Sequence, residues 1–467
     1  MKPFIHLFET PKNYYFYDVN RNENVQVGKD VYEYLSSIIT NNNALNPNKS
    51  IHEDIKHLKE LGYLSENRIE IIEHPLSNDL ELYLERQLGM LILQVTQCCN
   101  LRCSYCPYSA NDGSNRLHSN KKMSWELAKD SIDYYKERTI DSQKAVICFY
   151  GGEPLLEFEL IKKCVSYSNK IFEGKDLSFY ITTNGTLIDQ DKAKFLNDNS
   201  FRVTISLDGT KETNDKNRKF ANNDASVFDI VISNIIMINK YYKNLFFRTH
   251  INMVMDQRQS FQQYLNIFDE FKFLRNIQIR MTTIDDTSLS NRIEASPEFI
   301  QQYSYYKFLT YLHLLGKVDI KDEVYYLEHF LDQCIDMMNG FNTQRVLGKR
   351  GVPSGSCLVG KDRLMVNTDG NMYPCERVSE TIEKNCIGNI EDGFNLLKAK
   401  NLLNISKTNK LNCKECYAFR HCTLCPKSYE YLSGDSETIL NRCNQCRIEF
   451  HHKLIGIEIL NEIRYGK

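Results

Sequence analysis

The sequence predicts an α/β chain built on a parallel sheet, with a small N-terminal unit ahead of it and a cysteine-rich region behind. Three observations carry this. Six apolar, strand-like runs (Met90–Thr96, Ala145–Tyr150, Leu177–Thr182, Arg202–Leu207, Phe246–Met255 and Ile277–Thr283) alternate with amphipathic segments of helical length. Such alternation implies βα units, with a site at the carboxyl ends of the strands. The rhythm stops near Gly316, and cysteines and turns dominate from Cys357 to Cys446. Ahead of Asp79, short β-prone runs precede two helical patterns.

In the N-terminal unit, residues 1–78, Phe4–Phe8, Tyr14–Asp18 and Asn24–Val27 read as strands between turn formers. A helix is expected from about Lys29 to Ile39, on the spacing of Val31, Tyr34, Leu35 and Ile38. A second follows Ser50 as N-cap and carries Ile51, Ile55, Leu58 and Leu61. Arg68–His74 alternates like a closing strand, and together these suggest a winged helix. Residues 79–88 read as a helical linker, 89–316 as the core, 317–356 as a bridge, 357–446 as the cysteine-rich domain and 447–467 as a terminal helix.

Lys+Arg 58 against Asp+Glu 60 leaves the charge near zero, so no nucleic acid or anionic membrane is expected as partner. No run of 18 apolar residues predicts a membrane span, and MKPFIHLFET does not read as a secretory signal. The expected compartment is the cytoplasm. There, 16 cysteines point to metal or redox chemistry rather than disulfides.

The first core strand runs directly into Cys98-Cys99-Asn100-Leu101-Arg102-Cys103-Ser104-Tyr105-Cys106. Thiolates at Cys99, Cys103 and Cys106 can turn toward one iron–sulfur cube, leaving one iron without a local ligand. A zinc knuckle or a ferredoxin loop is the bland alternative, but zinc takes four ligands, often as two close pairs. Cys98, Cys148 and Cys164 read as packed thiols.

On this C-x3-C-x2-C loop after strand one, the chain resembles the radical S-adenosylmethionine (SAM) enzymes. Gly151-Gly152-Glu153 closes the second strand, Asn184 follows the third, and Ser206-Leu207-Asp208-Gly209 closes the fourth, with Asp215 and Arg218 beyond. The resemblance implies a partial (β/α)6 TIM-like barrel and a SAM-cleaving 4Fe–4S cluster on the three cysteines. It implies Tyr105 beside the adenine, Gly151, Gly152 and Glu153 on the SAM amino group, and Asn184, Ser206 and Arg218 among the other SAM contacts. A carboxylate suits an ammonium, and Arg suits a carboxylate.

In the second cysteine region, Cys357, Gly370 and Cys375 are followed by Cys413, Cys416, Cys422 and Cys425, then by Cys443 and Cys446. This resembles the SPASM extension with two auxiliary 4Fe–4S clusters, three clusters in all. The resemblance puts Cys413, Cys416, Cys422 and Cys443 on the outer cluster, and Cys357, Cys375 and Cys425 on the inner one. The gap from Cys422 to Cys425 is two residues where the family has three. The inner cluster's fourth ligand is Cys386, Cys446 or Cys334, or the site is open. Glu376 follows Cys375, where sulfatase-maturating relatives carry a basic carboxylate.

The N-terminal unit resembles the RiPP recognition element, which binds the leader of a ribosomal precursor peptide by strand addition. The helix carrying Glu53, Asp54, Lys56 and Lys59 has no basic excess, against DNA. The whole resembles sactipeptide and ranthipeptide maturases. It implies thioether formation after hydrogen abstraction by a 5′-deoxyadenosyl radical, with flavodoxin or ferredoxin as electron donor. Sulfatase maturation, and carbon–carbon crosslinking or epimerisation, are the alternatives.

Overall fold

The computed structural model describes residues 2–40, 47–109, 115–285, 293–319, 346–353, 357–430 and 436–466. The six core strands are β5 (Met90–Thr96), β6 (Lys144–Gly151), β7 (Asp176–Thr183), β8 (Arg202–Ser206), β9 (Thr249–Met255) and β10 (Gln278–Thr283). They stand parallel and in chain order. The period-two pattern places one face in the core. Ala145, Ile147 and Phe149 of β6 are fully buried, and the rings of Phe149, Phe179 and Phe201 stack. Cys148, on the other face, packs with Ile92, Met365 and Tyr373. Phe246 lies outside β9: Lys243–Phe247 form a short helix whose Leu245 and Phe246 are buried in the core.

The sheet does not end at β5. Leu364–Val366 (β12) adds to it in parallel, followed by antiparallel β13 (Asn371–Tyr373), β14 (Gly388–Asn389) and β15 (Gly393–Phe394). The cysteine-rich region thus continues the core sheet. Its terminal helix, Ser436–Tyr465, starts earlier than the expected 447 and carries Cys443 and Cys446 three residues apart on one face.

In the N-terminal unit, β1 (Ile5–Glu9), β2 (Tyr14–Asp18) and β3 (Glu23–Val27) form an antiparallel meander, followed by helices Lys29–Thr40 and Lys49–Glu60. The second helix is capped by Asn48, which accepts from Ile51 N, and not by Ser50. The expected closing strand is also corrected. Only Ile71–Ile72 (β4) is extended, and it pairs with Arg350–Gly351 (β11) instead of joining the meander. The reason is burial: Ile72, with Ile69, packs against Phe419 of the cysteine-rich region. One face of the meander meets its own helices through Phe16, Val31 and Leu35. The other shares a core with the C-terminal helix through Phe8, Tyr17, Phe450 and Leu454. Among the described residues, no helix is long and apolar enough to cross a membrane.

Candidate active site

A cavity of about 910 Å³ opens at the carboxyl ends of the strands. Cys99, Cys103 and Cys106 line it together with Tyr105, Gly151, Gly152, Asn184, Ser206 and Arg218. The glycines are needed for close backbone approach. A Cβ on Gly151 would stand 2.2 Å from Thr96 O, and one on Gly152 2.2 Å from Cys98 O. The end of β6 is thereby laced to the cysteine loop, through Gly152 N to Thr96 O (3.0 Å) and Glu153 N to Cys98 O (2.9 Å).

Glu153 follows the glycine pair. Its carboxylate is fully buried and does not line the cavity. It accepts from Thr183 Oγ1 (2.7 Å), Asn184 N (2.7 Å) and Leu155 N (3.0 Å), tying β6 to β7. Burial pushes this carboxyl up to about 7 against those three donors. Asn184 Nδ2 in turn donates to Asn100 Oδ1 (2.8 Å) and lies 3.9 Å from Cys99 Sγ.

Asp208, for which no role was expected, organises the opposite wall. Fully buried, it accepts from Arg218 Nε (2.8 Å) and Nη2 (3.3 Å), from Val254 N (2.8 Å) and from the Tyr105 hydroxyl. Arg218 is therefore already paired, and Tyr105 is locked by its hydroxyl, with the guanidinium 5.4 Å from its ring centre. The only signal in the sequence was the acid of the SLDG segment. Asp215 turns away and accepts from Ser226 Oγ and Phe228 N, at the start of the next helix.

The thiols suit an iron–sulfur cluster. Burial pushes Cys99 up to about 12 and Cys103 up to about 11, so the thiolates need a cationic partner, which iron supplies. Among the described residues, no three Cys, His, Asp or Glu side chains converge as tightly as a single ion requires.

In the cysteine-rich region, Cys413, Cys416, Cys422, Cys443 and Cys446 line one pocket together with Arg447. Cys446 thus lies with this set, three residues from Cys443 on the same helix. Cys425 lies within electrostatic reach of both Cys357 and Cys375. The Cys386 thiol packs, as Cys375 does, against the cluster of Ile92, Met365 and Tyr373, and points to Gly388 O at 3.3 Å. Cys334 falls outside the described residues. Glu376 faces the large cavity, with Oε1 on Arg363 Nη1 (2.7 Å) and Oε2 buried with no hydrogen-bond partner among the described residues.

Glu430 knits this region together, accepting from Ser379 N (2.7 Å) and Asn385 Nδ2 (2.6 Å). Burial raises its carboxyl from the ordinary 4.5 to about 7. The native state therefore holds the proton more tightly than the unfolded chain does. The stability this contributes is full below pH 4.5 and lost as pH rises to about 7. Across that interval the group should cost about 3 kcal/mol. Glu430→Gln should flatten that part of the pH dependence, as measured by denaturant unfolding at a series of pH values.

Strands in this order, carrying three cysteines after the first and a glycine pair after the second, define a radical SAM enzyme. The Radical SAM superfamily model matches residues 93–271. An uncharacterized protein of Methanocaldococcus jannaschii is 31% identical over 330 residues, 70% of this chain and 94% of that one. The chain belongs to the radical SAM superfamily, whose cofactors are SAM and a 4Fe–4S cluster. A cysteine-type anaerobic sulfatase-maturating enzyme of Clostridium novyi is 29% identical over 350 residues, 72% of this chain and 87% of that one. The solved structure of native anSMEcpe with bound AdoMet matches the fold at a TM-score of 0.58 and 24% identity, over 80% of this chain and 99% of that one.

Proposed function

We propose that the protein is a cytoplasmic maturase that binds the leader of a ribosomal precursor peptide and joins a cysteine sulfur to a carbon of another residue. The observation that carries this is the meander. β3 is one of its two edge strands, and among the described residues no strand pairs with its far side, so a peptide strand can add there. Chemistry at a peptide is supported by relatives named for sulfatase maturation and by an anSMEcpe structure that holds the Cp18Cys peptide.

Cys99, Cys103 and Cys106 hold the SAM-cleaving cluster. The backbone at Gly151 and Gly152, with Asn184, Ser206 and Arg218, orients SAM. Cys413, Cys416 and Cys422, with Cys443 or Cys446, hold the outer auxiliary cluster. Cys357, Cys375 and Cys425 hold the inner one. When bound, these groups supply a carbon radical that removes a hydrogen atom and an acceptor for one electron. Glu376 takes the thiol proton; its cavity-facing position and spare oxygen support that role. An external flavodoxin or ferredoxin supplies the reducing electron.

The test incubates the anaerobic holoenzyme, SAM and a reductant with the cysteine-containing peptides encoded beside the gene. Each crosslink should remove two hydrogens and one alkylatable thiol by mass spectrometry. Deleting the leader should lower kcat/KM about a hundredfold. The relatives favour sulfatase maturation as the second reading. Modification of an isolated sulfatase peptide, with no effect of a leader, would establish it in place of the first.

A further inference from the structure

The five residues between Cys416 and Cys422 all reach the N-terminal unit. The Tyr417 ring stacks on His6 at 3.6 Å and 5°. Ala418 and Phe419 share a buried core with Phe4 and Tyr17. Arg420 donates from Nε to Val19 O (2.7 Å) and from Nη2 to Asn20 O (3.0 Å). A His421 ring nitrogen meets Asn22 Oδ1 at 2.7 Å. Val19, Asn20 and Asn22 belong to the turn between β2 and β3, so the loop grips the hairpin whose last strand is the edge proposed to take the leader.

We infer that the outer cluster is the fastening of this grip: loading it seats the N-terminal unit, and losing it frees the β2–β3 hairpin. The inference rests on the reading of the outer cysteines as cluster ligands. A short loop tied at both ends to one rigid cluster has few conformations, so its side chains meet the hairpin already ordered. With both ties cut, the loop must pay that ordering itself, and the hairpin turn loses the donors on its carbonyls.

The experiment is hydrogen exchange with mass spectrometry on the full, anaerobically loaded chain, with iron counted in each sample. In the Cys416→Ser/Cys422→Ser variant, iron should fall by one cluster. Amides of residues 14–27 should exchange roughly tenfold faster, while those of Met90–Thr96 stay as in the parent. Arg420→Ala should keep all its iron and still speed exchange in the hairpin. Unchanged exchange in a variant that has lost the cluster overturns the inference while leaving the cluster reading intact. Unchanged iron in the double variant overturns the cluster reading, and the inference with it. If the double variant does not fold, parent-like exchange in Arg420→Ala overturns the inference.

Discussion

Asp208→Ala should reduce SAM cleavage by roughly two orders of magnitude without stripping iron from the Cys99, Cys103 and Cys106 centre. Asp208 is fully buried and balances Arg218, itself 6% exposed. Removing the carboxylate leaves a buried guanidinium without its counter-charge, a loss of about 3 kcal/mol or more. The Tyr105 hydroxyl and Val254 N lose their acceptor at the same time. Three pieces of the wall come loose together: the cysteine loop, the end of β9 and the arginine. Positioning errors of this kind are amplified in the rate. Asp208→Asn keeps the shape and one oxygen acceptor but not the charge, and should fall between alanine and parent. The readouts are 5′-deoxyadenosine formed per cluster and SAM affinity. Parent-like affinity in Asp208→Ala would mean that Arg218 is held by something else.

The second large effect is on stability. Arg116 and Glu380 form an ion pair of 2.7 Å with side chains 9% and 5% exposed. Glu380 also accepts from Gln94 of β5 (2.6 Å) and Asn367 (3.3 Å), and Arg116 lies 3.9 Å above the Tyr108 ring centre. The pair therefore joins the segment after the cysteine loop, the first core strand and the cysteine-rich region. Arg116→Ala should cost about 3–5 kcal/mol, because Glu380 is left charged and buried. Arg116→Met with Glu380→Gln should recover most of that, since neither charge is then stranded. Unfolding of the two single variants and the double variant closes the cycle. A double variant as unstable as Arg116→Ala would show that packing over Tyr108, not charge, holds the junction.

The core strands and the cysteine triplet were legible because their signals are local. Alternation of apolar residues reports a buried sheet face, and thiol spacing reports a shared ligand. A GGE segment does not say which of its atoms face the cavity. The glycines do, and the carboxylate turns inward to bind Asn184 N. Asp208 was quoted but given no role, since its partners Tyr105 and Val254 lie 103 and 46 residues away. The addition of β12 to β5 is equally non-local, a pairing of Leu364 with Leu91. The shared helix of Cys443 and Cys446 was not legible because Ser436–Tyr465 mixes polar and apolar residues with little helical periodicity. The Ser50 cap failed by two residues to Asn48, whose side chain makes the same bond.

The core shared by the N-terminal meander and the Ser436–Tyr465 helix has a consequence for synthesis. Thr10, Asn13 and Tyr15 all donate to Glu462, 447 to 452 residues later in the chain. Phe8 and Tyr17 cannot be covered until Phe450 and Leu454 exist. At ribosomal speeds the first hairpin waits on the order of half a minute or more with an apolar face bare. The meander is thus completed only after the Ser436–Tyr465 helix is made, and a chain stalled before that helix would offer the bare face to chaperones.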